Sequence, residues 1–223
     1  MPEPSATAWS DTIRRNIAGF TRSTDERLRE EHVTDERLRE EHVTAQAGGR
    51  AAAVTVCVLD AACDAKVLMI KRAPRGLNSG QWALPGGRIE PDETATQAAL
   101  RELHEEVGLE LTEENVVGLL DDYVTDSGFV ITPVVTMVTE SPKLQRNPAE
   151  VHSLHRIALS RLVSDELPRW KTTPDGPLMQ MPLRSNMVVH APTGAILLQF
   201  REVALLGRPI TVTDLREPEF TRT

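Results

Sequence analysis

The chain alternates short apolar runs with polar breaks, and the period of each run predicts an element. Ala53–Leu59 is apolar and β-branched throughout, the pattern of a buried strand. Asp60–Lys66 reads as a turn and Val67–Lys71 as a second strand. Arg72–Gln81 carries Pro, Gly, Asn and Ser, so a loop is predicted there. Trp82–Leu84 is short and extended, and Pro85–Gly86–Gly87 breaks it. A helix is predicted over Thr94–Val107. Thr94 and Gln97 have the spacing of a capping box. Ala99, Leu103 and Val107 recur every four residues as a buried stripe, and Gly108 supplies a left-handed exit. Val116–Tyr123 and Val130–Thr139 read as strands, and Val151–Leu159 contains another. Ala191–Leu206 is an apolar-periodic helix with Gly207 just past its end. This irregular alternation suits a mixed α/β sandwich better than a doubly wound sheet.

The first 45 or so residues have a different texture. Ile13, Ile17 and Phe20 line one side of a short helix. TDERLREEHV then occurs twice without change, at Thr24–Val33 and Thr34–Val43. A ten-residue step turns a helix by about 1000°, so Leu28 and Leu38 fall on different faces. That argues against a heptad seam, and two copies are fewer than a solenoid needs. The segment reads either as a solvated helical extension or as an arm for a partner, which includes a homodimer. Gly48–Gly49 is a linker. The division is an N-terminal helical extension at 1–47, a mixed α/β domain at 48–207 and a C-terminal tail at 208–223.

Composition narrows the class. Of 223 residues, 40% are apolar and 26% charged, which suits a globular chain. The formal net charge of −8 argues against stable nucleic-acid binding, which needs a basic face. Each repeat copy holds four acids and two arginines, so the two copies supply half of that charge. It therefore says little about a site in the domain. Cys57 and Cys63 form no CxxC pair, no zinc spacing and no disulfide framework, so reduced thiols in the cytoplasm are expected. No apolar run approaches the roughly 18 residues of a membrane span. The start, MPEPSATAWSD, lacks the charged and apolar regions of a signal peptide.

The chemistry concentrates in Gly86–Leu109. Glu102, Glu105 and Glu106 stand at i, i+3 and i+4 of the predicted helix and share a face. Three carboxylates so placed repel, unless solvent or a cation screens them. Mg²⁺ prefers oxygen ligands and is commonly shared with substrate phosphates. The E-x-x-E-E run alone reads as a solvated helix face before it reads as a metal site.

Its setting decides between them. Five residues separate Gly87 from Glu93, and seven more precede Arg101–Glu102. Leu103, His104, Glu105, Glu106, Val107, Gly108 and Leu109 follow. This is G-x5-E-x7-R-E-U-x-E-E-x-G-U, with U a bulky aliphatic, and here the chain resembles the Nudix hydrolase family at every specified position. The resemblance implies an α/β/α sandwich with a mixed sheet. It implies hydrolysis of a nucleoside diphosphate linked to another moiety, with Mg²⁺ or Mn²⁺. On this likeness Glu102, Glu105, Glu106 and the Gly87 carbonyl are the metal ligands. Arg101 and Glu93 fix the loop–helix geometry, and Glu105 takes part in catalysis. The family often adds a carboxylate from outside the box. Glu150 occupies a comparable place, and Asp121, Asp122 and Asp126 compete with it.

The flanks bear on substrate. Leu68–Ala73, Gly80 and Leu84–Gly87 resemble the extra motif of coenzyme A pyrophosphatases, with Met69, Ile70 and Leu84 as departures and an interval one residue short. Gly128–Val135 looks like the G-[YF]-x-[VI]-T-P-V-V run of the same branch. Arg72 and Arg75 are candidates for substrate phosphates and otherwise read as surface charge. Trp82 is a candidate to stack on a purine and otherwise reads as core. His104 is expected to face solvent. The leading expectation is cleavage of coenzyme A or acyl-CoA to 3′,5′-ADP and a phosphopantetheine. The rivals are hydrolysis of ADP-ribose or of oxidised nucleoside triphosphates, and a non-catalytic nucleotide sensor.

Overall fold

A computed structural model describes residues 6–23, 50–61, 64–74, 79–174, 176–212, 215 and 217–218. The tandem repeat, Gly48–Gly49, Cys63 and Arg75 lie outside the described residues. Strand β1 (Ala51–Leu59) alternates its side chains between two layers. Val56 and Val58 enter one apolar cluster, while Cys57 and Leu59 enter another. Strand β2 (Lys66–Arg72) repeats this, with Val67 and Met69 on one side and Leu68 and Ile70 on the other. A period of two with apolar residues on both faces requires cover on both faces. One cover is helix α2 (Ala95–Val107). Its Ala95, Ala98 and Ala99 pack on Ala53 and Val134, and its Leu103 and Val107 pack on Leu68 and Ile70.

The opposite cover has two helices. They are α1 (Ala6–Ala18), which buries Ile13 and Ile17, and a C-terminal helix described below. Helix α1 is seated on the domain itself. Its Asn16 side-chain amide donates to the Ala204 carbonyl at 3.0 Å. A Cβ on Gly118 would stand 2.5 Å from the Ile17 side chain, so only glycine admits the helix there.

The main sheet is mixed. Strand β1 runs parallel to β7 (Val130–Met137) and antiparallel to β2 and to β4 (Gly86–Arg88). Strands β3 (Trp82–Ala83) and β8 (Val151–Ala158) both pair antiparallel with β2. Strands β5 (Val116–Leu119) and β6 (Tyr123–Val124) pair with β7. The single strand expected over Val116–Tyr123 is therefore two. Asp121 and Asp122 interrupt it, because their carboxylates are taken by partners outside the ladder. Asp121 accepts from the Gln199 amide and from the Ser23 N–H, and Asp122 from Arg22 and Thr132.

Beyond β8 come α3 (Leu159–Leu162) and a separate antiparallel sheet, β9 (Arg169–Thr173), β10 (Gly176–Arg184) and β11 (Met187–Val189). Its Met179, Met181, Leu183 and Val189 join the α1 side of the core. The sequence reading placed no strand there. The helix expected over Ala191–Leu206 is α4 (Thr193–Phe200) followed by one π-helical turn, Arg201–Leu205. It begins two residues later than expected, with Pro192 at the position before its first residue. Gly207, at φ 64°, makes the expected left-handed exit. Among the described residues no helix is long and apolar enough to cross a membrane.

Candidate active site

The loop leading to α2 is tied to the helix by one guanidinium. Arg101 Nε donates to Glu93 Oε1 at 2.8 Å and Nη2 to Glu93 Oε2 at 3.0 Å. The same side chain reaches the Arg88 carbonyl at 3.1 Å, Glu102 Oε1 at 3.0 Å and Glu105 Oε2 at 3.1 Å. Such a fork holds a carboxylate bidentately, which a lysine cannot do. Bonding to Arg101 holds the Glu93 carboxyl below the usual range, and Glu93 in turn raises the pKa of Arg101. The helix start is fixed as its sequence implies: Thr94 and Gln97 cap each other's backbone, and Gly108 closes the helix at φ 67°.

Two glycines let the loop approach. A Cβ on Gly86 would lie 2.3 Å from the Ala53 carbonyl oxygen, and one on Gly87 would lie 2.1 Å from Glu102 Oε1. The Gly86 N–H donates to Glu106 Oε2 at 3.0 Å. Glu106 is buried, whereas Glu105, with which its spacing groups it, is exposed. Burial pushes its pKa up to about 7; the Gly86 N–H and Arg72 oppose that shift, while Glu102 and Glu150 add to it. Burial also raises Glu102, against Arg101.

Glu102, Glu106 and Glu150 each present an oxygen, and these oxygens lie within 4.8 Å of one another. Glu105 is outside that trio, half exposed and turned to Arg101. Asp121 and Asp122 are committed elsewhere, and Asp126 lies at the Glu217 contact through its N–H. Sequence reasoning did not find Asn147. Its N–H donates to the Glu106 carbonyl at 2.8 Å, and its side-chain amide donates to Glu150 Oε1 at 3.1 Å. A lone Asn in a loop carries no signal for this; only the fold brings it between α2 and Glu150.

Arg72 ends β2 opposite Val151, and the Ala73 N–H donates to the Glu150 carbonyl at 2.8 Å, so both line up with the carboxylates. Trp82 is half-buried, with the Lys71 ammonium 5.1 Å from its ring centre and His155 edge-on at 4.8 Å. His104 faces solvent, as expected.

A divalent cation fits these residues. Three carboxylates converge, two with raised pKa values, and hard oxygen donors of this kind suit Mg²⁺ or Mn²⁺. Gly87 is pressed against Glu102, so that any side chain there would meet its carboxylate.

Fold and site define an α/β/α domain with acidic residues gathered at a glycine loop and the helix after it. The sequence profile of the NUDIX domain matches residues 49–179, and the chain belongs to the Nudix family. Curated relatives include an uncharacterized Nudix hydrolase NudL of Photorhabdus laumondii, 35% identical over 100 residues, 44% of this chain and 54% of that protein. The NudL of Yersinia enterocolitica is 37% identical over 83 residues, 37% of this chain and 43% of that one. The match thus spans about half the length of these relatives. Among solved structures, the Nudix hydrolase RenU of M. smegmatis is 24% identical, with 73% of this chain and 89% of that chain covered and a TM-score of 0.48. A MutT/nudix family protein of Enterococcus faecalis is 19% identical, covering 80% and 73%, with a TM-score of 0.49.

Proposed function

We propose that residues 48–207 form a divalent-cation-dependent pyrophosphohydrolase acting in the cytoplasm on a nucleoside diphosphate linked to another group. The preferred substrate is coenzyme A or an acyl-CoA, cleaved to 3′,5′-ADP and a phosphopantetheine. The observation that carries the reaction class is the convergence of Glu102, Glu106 and Glu150 beside Gly86–Gly87. The substrate class rests on the flanking runs Leu68–Ala73 and Gly128–Val135.

In this reading Glu102, Glu106, Glu150 and the Gly87 carbonyl hold Mg²⁺. When bound, the cation neutralises the diphosphate and polarises its P–O bonds. The chain does the rest. Arg101 pins Glu93 and the Arg88 carbonyl to α2, so the glycine loop and the glutamates keep one geometry. Arg72 offers a guanidinium to the substrate phosphates beside Glu150. Glu105, exposed next to the trio, accepts the proton of the attacking water. That water's oxygen bonds to one phosphorus, and the bridging oxygen leaves with its electron pair on the other phosphate.

The purified protein, with Mg²⁺, is assayed against CoA, ADP-ribose, NADH, dinucleoside polyphosphates and oxidised dNTPs. CoA is expected to give the highest kcat/KM. Turnover of CoA no better than the others overturns the substrate class, and no turnover of any overturns the activity.

A further inference from the structure

Between β7 and β8, residues 141–150 form a strap that carries Glu150 to the site. Its start is held by β8, where the Arg156 guanidinium donates to the Ser141 hydroxyl at 3.2 Å and to the Pro142 carbonyl at 3.0 Å. Its middle caps α2. The Gln145 N–H donates to the Val107 carbonyl at 2.9 Å and the Asn147 N–H to the Glu106 carbonyl at 2.8 Å. A helix leaves these last carbonyls without a partner of its own. Gly108 lets the strap lie there, since a Cβ would stand 2.9 Å from the Gln145 carbonyl oxygen. At the far end Arg146 reaches the Val151 carbonyl at 2.9 Å, and the Asn147 amide holds Glu150. The placement of Glu150 thus depends on a segment whose first anchors lie away from the carboxylates.

Those first anchors border a surface that collects cations without acids. An open groove of about 690 Å³ is lined by Lys143 and Leu144 of the strap, Leu154 and Arg156 of β8, and Arg184 of β10. Arg101, Arg161 and Arg201 each have a carboxylate partner. Lys143, Arg156 and Arg184 have none among the described residues. Arg156 is held by the Ser141 and Pro142 oxygens, and Arg184 donates to the Arg156 carbonyl at 2.7 Å. Neutral acceptors fix the two guanidiniums and leave their charge uncompensated. His155, beside them, is kept toward its neutral form by burial and then by the Arg184, Lys71 and His152 charges. Like charges therefore border one groove from two sides, Lys143 from the strap and the arginines from the strands, and they repel until an anion comes between them.

We infer that this groove binds an effector anion bearing a diphosphate group, and that the anion fixes the strap that carries Asn147 and Glu150. Two guanidiniums and an ammonium are more charge than one carboxylate balances, and they suit the several oxygens of a diphosphate. The volume is that of a nucleotide-sized ligand, and Leu144 and Leu154 give it an apolar wall. The anion ties Lys143 on the strap to Arg156 and Arg184 on the strands. It is not the molecule being cleaved, because none of Glu102, Glu106 and Glu150 lines the groove. The inference goes beyond the proposed function, and binding at the groove does not depend on it.

The test titrates inorganic pyrophosphate and ADP into the full chain by calorimetry, in EDTA and at low ionic strength. Without a cation the carboxylate trio repels both anions, so the groove is what binds them. Tighter binding of ADP assigns the site to a nucleotide, and tighter binding of pyrophosphate to the inorganic anion. Lys143→Gln and Arg184→Gln are each expected to weaken binding by about tenfold, the size of a charge-assisted contact. Both residues are exposed, and thermal melts verify that the variants keep the fold. Pyrophosphate is also expected to slow amide hydrogen exchange over residues 143–149 several-fold, read by mass spectrometry, and to do so less in either variant at the same concentration. No binding of either anion, or binding that both variants leave intact, overturns the site. Binding with unchanged exchange over 143–149 overturns its hold on the strap. Hydrolysis is assayed apart from this, with Mg²⁺, so failure of the proposed activity leaves the result of the titration standing.

Discussion

Glu106 is held where a carboxylate is hardest to keep charged. It is buried, accepts one backbone N–H and faces two further glutamates. Asn147 makes that crowding possible by bonding the Glu106 backbone and the Glu150 side chain together. Loss of such an outer partner typically costs about 10–100-fold in metal affinity. Asn147→Ala is therefore expected to weaken Mn²⁺ binding by about tenfold, read by calorimetry, with its melting temperature little changed. Unaltered affinity would mean that Glu150 needs no such support. Cys57 illustrates the opposite kind of buried group. Burial pushes its thiol up to about 11, and it is fully enclosed. The thiolate is the reactive form. Iodoacetamide near pH 8 should leave Cys57 unmodified in the native protein and alkylate it after unfolding, as peptide mass mapping would show.

Among the elements, the glycine loop and α2 behave as one piece, because Arg101 joins them. Glu93 has a lowered pKa in the fold, so its ionised form stabilises the native state above the unfolded-state value of about 4.3. That contribution is lost as pH falls through the lowered native value. Thermal melts of wild type and Glu93→Gln should differ most above about pH 5 and converge under more acid conditions. A difference that persists at low pH would assign the effect to packing. The cap, the buried stripe and the exit of α2 were legible in the sequence because each depends on residues within a few positions. Strands β1, β2, β7 and β8 were legible from their apolar runs. The sheet of β9, β10 and β11 was not: Trp170 and Val188 are exposed, while Met181 and Leu183 stand between polar or proline neighbours. Its pattern is weak because it covers a core on one face only. The burial of Glu106 was likewise invisible, since it depends on Gly86 being brought against α2 by the β1–β4 pairing.

For the molecule as a whole, both flanks of the domain matter to the site's frame. Helix α1 closes the core on the side away from α2, and Arg22 and Ser23 bind the two aspartates that interrupt β5 and β6. Ile13 is fully buried in that core. Ile13→Ala is expected to lower stability by about 2–5 kcal/mol, measured by urea unfolding. A cost near zero would mean that α1 is dispensable to the fold.

The carboxylate trio is tested most directly by Glu106→Gln, which keeps the side chain's size and an acceptor for the Gly86 N–H while removing its charge. Mg²⁺-dependent hydrolysis of the best substrate in the panel is measured beside the wild type, with circular dichroism to compare the folds. A fall in kcat of roughly a hundredfold or more is expected, with an unchanged spectrum. Wild-type activity in that variant would contradict a cation held by Glu102, Glu106 and Glu150.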